Sequence, residues 1–88
     1  MNPGAPCILV AEDNPINQEV LLEQLSQLGH AADVADDGRQ ALSLWLRQRH
    51  PLVLTDLQMP DMDGYDLAQA IRAHEARQGG PRTHIVAL

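Results

Sequence analysis

The sequence predicts an α/β domain built on a parallel sheet. Three observations carry that prediction. Four short apolar runs, at residues 8–11, 31–35, 52–55 and 85–88, have strand length and branched aliphatic content. The segments between them carry apolar residues at helical spacing. Clusters of Gly, Pro, Asn and Asp punctuate the joins. Strict alternation of strand and helix implies parallel strands with right-handed helical crossovers covering both faces of the sheet. With 88 residues there is room for one domain at most.

Residues 1–7 read as a linker, because Pro3, Gly4 and Pro6 start neither a helix nor a central strand cleanly. The domain proper is expected at 8–88. Ile8-Leu9-Val10-Ala11 is a strand buried on both faces. Asn14-Pro15 opens the first helix: Asn caps, and the missing N–H of Pro costs nothing in the first turn. Ile16, Val20, Leu21, Leu25 and Leu28 give that helix an apolar face, and Gly29 stops it. A second strand is centred on Val34, in a weak pattern. Asp36-Asp37-Gly38 is turn chemistry. The second helix carries Ala41, Leu42, Trp45 and Leu46 on one side, leaves Arg39, Arg47 and Arg49 more exposed, and ends near His50, before Pro51. Leu52-Val53-Leu54-Thr55 is the clearest third strand, closed by Asp56. A loop from Leu57 to Gly64 leads into a third helix from Tyr65 to about Ala76, with Leu67, Ala68 and Ile71 inward. Ile85-Val86-Ala87-Leu88 begins the fourth strand.

Composition narrows the function classes. A net charge of −6 argues against a nucleic-acid surface, which needs clustered Lys and Arg. It suits a divalent cation or a basic partner, although acid that merely keeps a domain soluble explains it as well. The single cysteine, Cys7, forms no intrachain disulfide and is expected as a buried thiol at the start of an apolar run. Residues 1–6 lack a signal-peptide pattern and no apolar run approaches membrane-spanning length. A cytoplasmic location is expected, compatible with a membrane-anchored parent protein. The four histidines show no close metal-ligand spacing and are expected at the surface or half-buried.

In an open parallel sheet, ligands bind at the carboxyl ends of the strands, where strand order reverses. The first strand ends in Glu12 and Asp13, and the third ends in Asp56. If these strands are neighbours, as in a flavodoxin-like order, three carboxylates converge. One strand-end acid is explained by solvation; three that converge repel, and call for a proton or a cation. Mg²⁺ suits carboxylate, carbonyl and water oxygens. Asp56 is then the candidate nucleophile, because a carboxylate attacks phosphorus to give an acyl phosphate.

These segments resemble the receiver domains of response regulators. Residues 8–14, Ile-Leu-Val-Ala-Glu-Asp-Asn, resemble their first strand and acidic pair. Residues 52–64, Leu-Val-Leu-Thr-Asp-Leu-Gln-Met-Pro-Asp-Met-Asp-Gly, resemble their phosphoacceptor strand and loop, a highly specific motif. Residues 36–42 resemble the start of their second helix, and Glu12-Asp13-Asn14-Pro15-Ile16-Asn17 looks most like receivers of hybrid sensor histidine kinases. The resemblance implies a flavodoxin-like (CheY-like) three-layer parallel sheet of order 2-1-3-4. It implies Asp56 as phosphoacceptor and Asp13 as a direct Mg²⁺ ligand. Glu12 would act through metal-bound water, and the Gln58 backbone carbonyl would be a further ligand. Met59 and Pro60 would pack and turn the loop. Asn14 stays open between helix capping and a site-facing role. The implied function is a phosphoacceptor module of a two-component phosphorelay, with a histidine kinase or phosphotransfer protein as donor. Such a module is not itself a turnover enzyme, although a parent hybrid kinase would be.

Receivers also place a Ser or Thr after the fourth strand and a Lys at the end of a fifth. Neither is present: Thr55 points to the other face, Thr83 precedes the fourth strand, and the sequence has no Lys. Relative to the family, the fifth strand and last two helices are missing. The fourth strand is therefore expected to be an exposed apolar edge that invites an edge-strand dimer. Mg²⁺ binding is expected to survive this loss better than stable phosphorylation. A rival phosphohydrolase of the haloacid-dehalogenase type would need a second Asp two residues after the nucleophile, where Gln58 stands. A calcium loop around Asp61-Met62-Asp63-Gly64 would start at Met59, which cannot ligate Ca²⁺, and would put Ala70 at the bidentate Glu position. The remaining alternative is a non-phosphorylated protein-interaction module of the same fold.

Overall fold

The computed structural model describes residues 7–88, so most of the expected linker lies outside the described residues. The elements run β1 (Ile8–Ala11), α1 (Pro15–Gln27), β2 (Ala32–Ala35), α2 (Gly38–Gln48), β3 (Leu52–Thr55), α3 (Gly64–Gln78) and β4 (His84–Ala87). All pairings are parallel and the sheet order is β2-β1-β3-β4. The reversal of strand order falls between β1 and β3, whose register pairs Ala11 with Thr55. Glu12 and Asp56 therefore leave the sheet side by side.

The hydrophobic core lies on one side of the sheet. Leu9, Ala11, Ala35 and Val53 meet Ala41 and Trp45 of α2, Leu67 and Ile71 of α3, and Met59 from the β3–α3 loop. Trp45 is fully buried, and its indole N–H donates to the Thr83 hydroxyl at 2.9 Å. The opposite side is thin. No residue of α1 is fully buried, and Ile16, Val20 and Leu28 are exposed by 70, 48 and 72%. The apolar face of α1 exists as spaced in the sequence, but only Leu21 and Leu25 are half-covered.

Several local expectations need correction. Cys7 is exposed, because its strand partners begin only at Ile8. Leu46 is 45% exposed, while Leu44 packs on the core. At 100° per residue Leu46 lies about 140° around the helix from Ala41, off the buried stripe. Arg49 closes α2 in a left-handed conformation, φ 53°, and its guanidinium lies 4.5 Å from the Trp45 ring centroid. The turn at Arg49 carries His50 under the sheet. His50 is 1% exposed, with Nε2 2.7 Å from the Asp33 carboxylate. α3 runs two residues beyond Ala76, and β4 starts and ends one residue earlier than expected.

Candidate functional site

Each acidic side chain is set by a local feature. β1 carries Glu12 and Asp13 off its carboxyl end, and β3 does the same for Asp56, whose N–H is held by Ala11 O at 2.9 Å. One oxygen from each of Glu12, Asp13 and Asp56 lies within 4.8 Å of the others. The strand-end convergence expected from order and register is therefore present. The three differ in environment: Glu12 is 4% exposed, Asp56 half-buried and Asp13 exposed.

The hydrogen bonds orient these groups. Glu12 Oε1 accepts from Asn14 N at 3.1 Å and from Asn17 Nδ2 at 3.3 Å. Gln18 Nε2 donates to Glu12 O at 2.6 Å and to Asp36 Oδ1 at 2.8 Å, tying α1 to the ends of β1 and β2. Asp56 Oδ1 accepts from Gln58 N at 3.1 Å. In the sequence Asn17 has only a place in the Glu12–Asn17 motif, with no contact to Glu12, and nothing singles out Gln18; both are polar residues in the first turn of α1, which carries further polar residues along its length. Asn14 resolves as a cap: its Oδ1 accepts from Ile16 N and Asn17 N. Thr55 faces away from the cluster and donates its hydroxyl to Asp56 O.

Two glycines shape the loop beneath the cluster. A Cβ on Gly64 would stand 2.5 Å from Asp56 O and 3.0 Å from Leu57 Cα. A Cβ on Gly38 would stand 2.2 Å from Met62 O. Backbone thus packs on backbone at both positions, which only glycine permits. Asp63 at the end of the loop is spent on helix geometry. Asp63 caps α3 by accepting from Asp66 N, and Asp66 accepts from Asp63 N in return, completing a capping box.

The donor set is three carboxylates at the mouth of a sheet, and among the described residues no Lys or Arg pairs with any of them. The ion pairs there are His50–Asp33 and Arg72–Glu75, both elsewhere. An all-oxygen, uncompensated cluster fits a hard divalent cation of the Mg²⁺ class.

The sequence matches the response regulator receiver domain over residues 8–88. The chain belongs to the response regulator receiver family. Its relatives lie within far larger proteins. It is 46% identical over 65 residues to the sensor histidine kinase RcsC of Escherichia coli K12, covering 74% of this chain and 7% of that protein. The receiver domain of sensor histidine kinase PA1611 from Pseudomonas aeruginosa, solved with a magnesium ion in its active-site cleft, superposes with a TM-score of 0.79 at 39% identity. That match covers 91% of this chain and 63% of the other. A co-crystal of the Saccharomyces cerevisiae phosphotransfer protein Ypd1 with the receiver domain of Ssk1 matches with a TM-score of 0.84 at 31% identity, over 91% of this chain and 60% of that one. The receiver thus spans only a small part of the curated kinase it matches, and under two thirds of these solved chains.

Proposed function

We propose that this receiver takes a phosphoryl group onto Asp56 from the phosphohistidine of a histidine kinase or phosphotransfer protein. In that step an Asp56 carboxylate oxygen bonds to phosphorus. The P–N bond breaks, and its electron pair stays on the imidazole of the donor. The observation that carries the reading is the convergence of Glu12, Asp13 and Asp56 within 4.8 Å at the β1–β3 strand ends. Asp13, Asp56 and the Gln58 carbonyl would hold Mg²⁺, with Glu12 acting through its water. The ion would supply charge neutralisation at the phosphoryl oxygens. The chain's own residues orient the nucleophile. Gln58 N–H fixes Asp56 Oδ1, leaving the second oxygen without a hydrogen-bond donor among the described residues.

A donor has a surface to meet beside the cluster. Ile16 and Val20 of α1 are exposed there, and a cavity of about 230 Å³ runs between Glu12, Asn17, Val20, Leu21 and Leu88. The chain acts as a signalling module and not as a turnover enzyme. The outer edge of β4 is unpaired among the described residues, and we propose that two copies meet along it. Sedimentation at rising concentration shows dimers if so, and a monomer throughout refutes the edge contact.

Beryllium trifluoride, a phosphoryl mimic, tests the central claim without a donor protein. Fluorine NMR is expected to show a bound resonance that requires Mg²⁺ and disappears in Asp56→Asn. No bound resonance, or one that survives Asp56→Asn, overturns the proposal.

A further inference from the structure

We infer that Asn17 is a positioning residue for the cation site, acting through Glu12. The inference rests on the proposed Mg²⁺ reading and deepens it. Glu12 is 4% exposed, and a carboxylate this buried needs its lone pairs occupied. Both donors that reach its side chain, Asn14 N at 3.1 Å and Asn17 Nδ2 at 3.3 Å, land on the same oxygen, Oε1. Two donors on one oxygen stop rotation about the last torsion of the side chain. Among the described residues Oε2 accepts no hydrogen bond, and one oxygen of Glu12 lies within 4.8 Å of an oxygen each of Asp13 and Asp56. A carboxylate fixed in this way pays no ordering entropy when a cation or its water arrives.

The two donors are not equivalent in how they are supplied. Asn14 N–H is backbone and is present whatever residue stands there. The second bond depends on the Asn17 side chain alone. The place of Asn17 is itself determined: its backbone N–H donates to the cap Asn14 Oδ1 at 3.3 Å. The α1 cap and the Glu12 lock are therefore coupled through one residue. Alanine at position 17 keeps the backbone bond to the cap and loses only the lock.

That separation makes the test clean. Asn17→Ala is expected to leave the thermal midpoint of the chain unchanged or slightly raised, because Ala is the better helix former. Its Mg²⁺ affinity by calorimetry is expected to fall about tenfold, the low end for a supporting partner of a ligand because the bond is long. In a Glu12→Ala background the same substitution is expected to change Mg²⁺ affinity less than twofold, since nothing remains to be positioned. Three results overturn the inference. The first is Mg²⁺ affinity within twofold of the parent chain in Asn17→Ala. The second is an equal tenfold loss with Glu12 already removed. The third is a parent chain that binds no Mg²⁺, which also removes the proposed function; the first two leave that function standing.

Discussion

Replacing Gly64 with Ala tests whether the first turn of α3 sets the position of Asp56. The added Cβ would lie 2.5 Å from Asp56 O, against 3.4 Å where ordinary contact begins, so about 0.9 Å must be found. The opposing atoms are backbone of Asp56 and Leu57, which cannot swing aside as a side chain does. Overpacking of this kind costs about 1–3 kcal/mol. Ala recovers about 0.5–1 kcal/mol of helix propensity and chain entropy. The net loss is on the order of 1–2 kcal/mol, which in a domain this small lowers the thermal midpoint by roughly 10 °C. Urea unfolding followed by Trp45 fluorescence reads it directly, because that indole is fully buried in the folded chain. Mg²⁺ affinity should fall with stability, since the strand end carrying Asp56 is what moves. Gly29→Ala separates clash from conformational strain. Gly29 has φ +84° and open space around it, so Ala there is expected to cost about 1–2 kcal/mol with Mg²⁺ affinity unchanged. A Gly64→Ala chain with the parent's midpoint and affinity would refute the reasoning.

Three further outcomes follow from the packing. The Glu75 carboxyl feels burial, which raises its pKa, but the Thr83 N–H and the Arg72 guanidinium outweigh that and hold it below its ordinary value. A depressed carboxyl contributes stability above its unfolded pKa and loses it as pH falls through the folded one. Glu75→Gln should therefore flatten the acid limb of a stability–pH curve, and an unchanged limb in thermal melts rejects this. Trp45→Phe removes the donor to Thr83 Oγ1 and the larger ring beneath Arg49, and should cost about 1–2 kcal/mol in urea unfolding followed by circular dichroism. Asp33→Ala strands His50, whose Nδ1 already has no partner among the described residues, and should cost about 1–3 kcal/mol; adding His50→Leu should restore part of it, and a purely additive double variant contradicts the pairing.

Much of this molecule was legible as sequence because its signals are local. Asn14-Pro15 states a helix start in two residues, and the structure uses both as cap and first position. β3 was readable from Leu52 to Thr55 because it is apolar and bounded by Pro51 and Asp56. The cluster was readable because two strands end in acid, and the strand order that the family resemblance implies brings residues 12 and 56 together. What escaped depends on partners distant in the chain. His50 was expected at the surface or half-buried because nothing near it in sequence announces Asp33, seventeen residues earlier and across the sheet. Leu46 and Leu44 differ by two positions, and only the placement of α2 against β1 decides which is covered. Asn17 stood in a recognisable motif without an assigned contact, because Glu12 reaches it only once the turn between β1 and α1 has formed.

The lopsided distribution of apolar contacts gives the domain two rates of breathing. α2 and α3 share Trp45, Leu67 and Ile71 with the sheet, whereas no residue of α1 is fully enclosed. Amides of α1 should exchange with deuterium through frequent small openings, and those of β3 only when the whole chain unfolds. Asp56 thus rides on the slow half while the latch on Glu12 rides on the fast half. Whatever settles against α1 would calm both, and so would tune the cation site from a surface that never touches the ion.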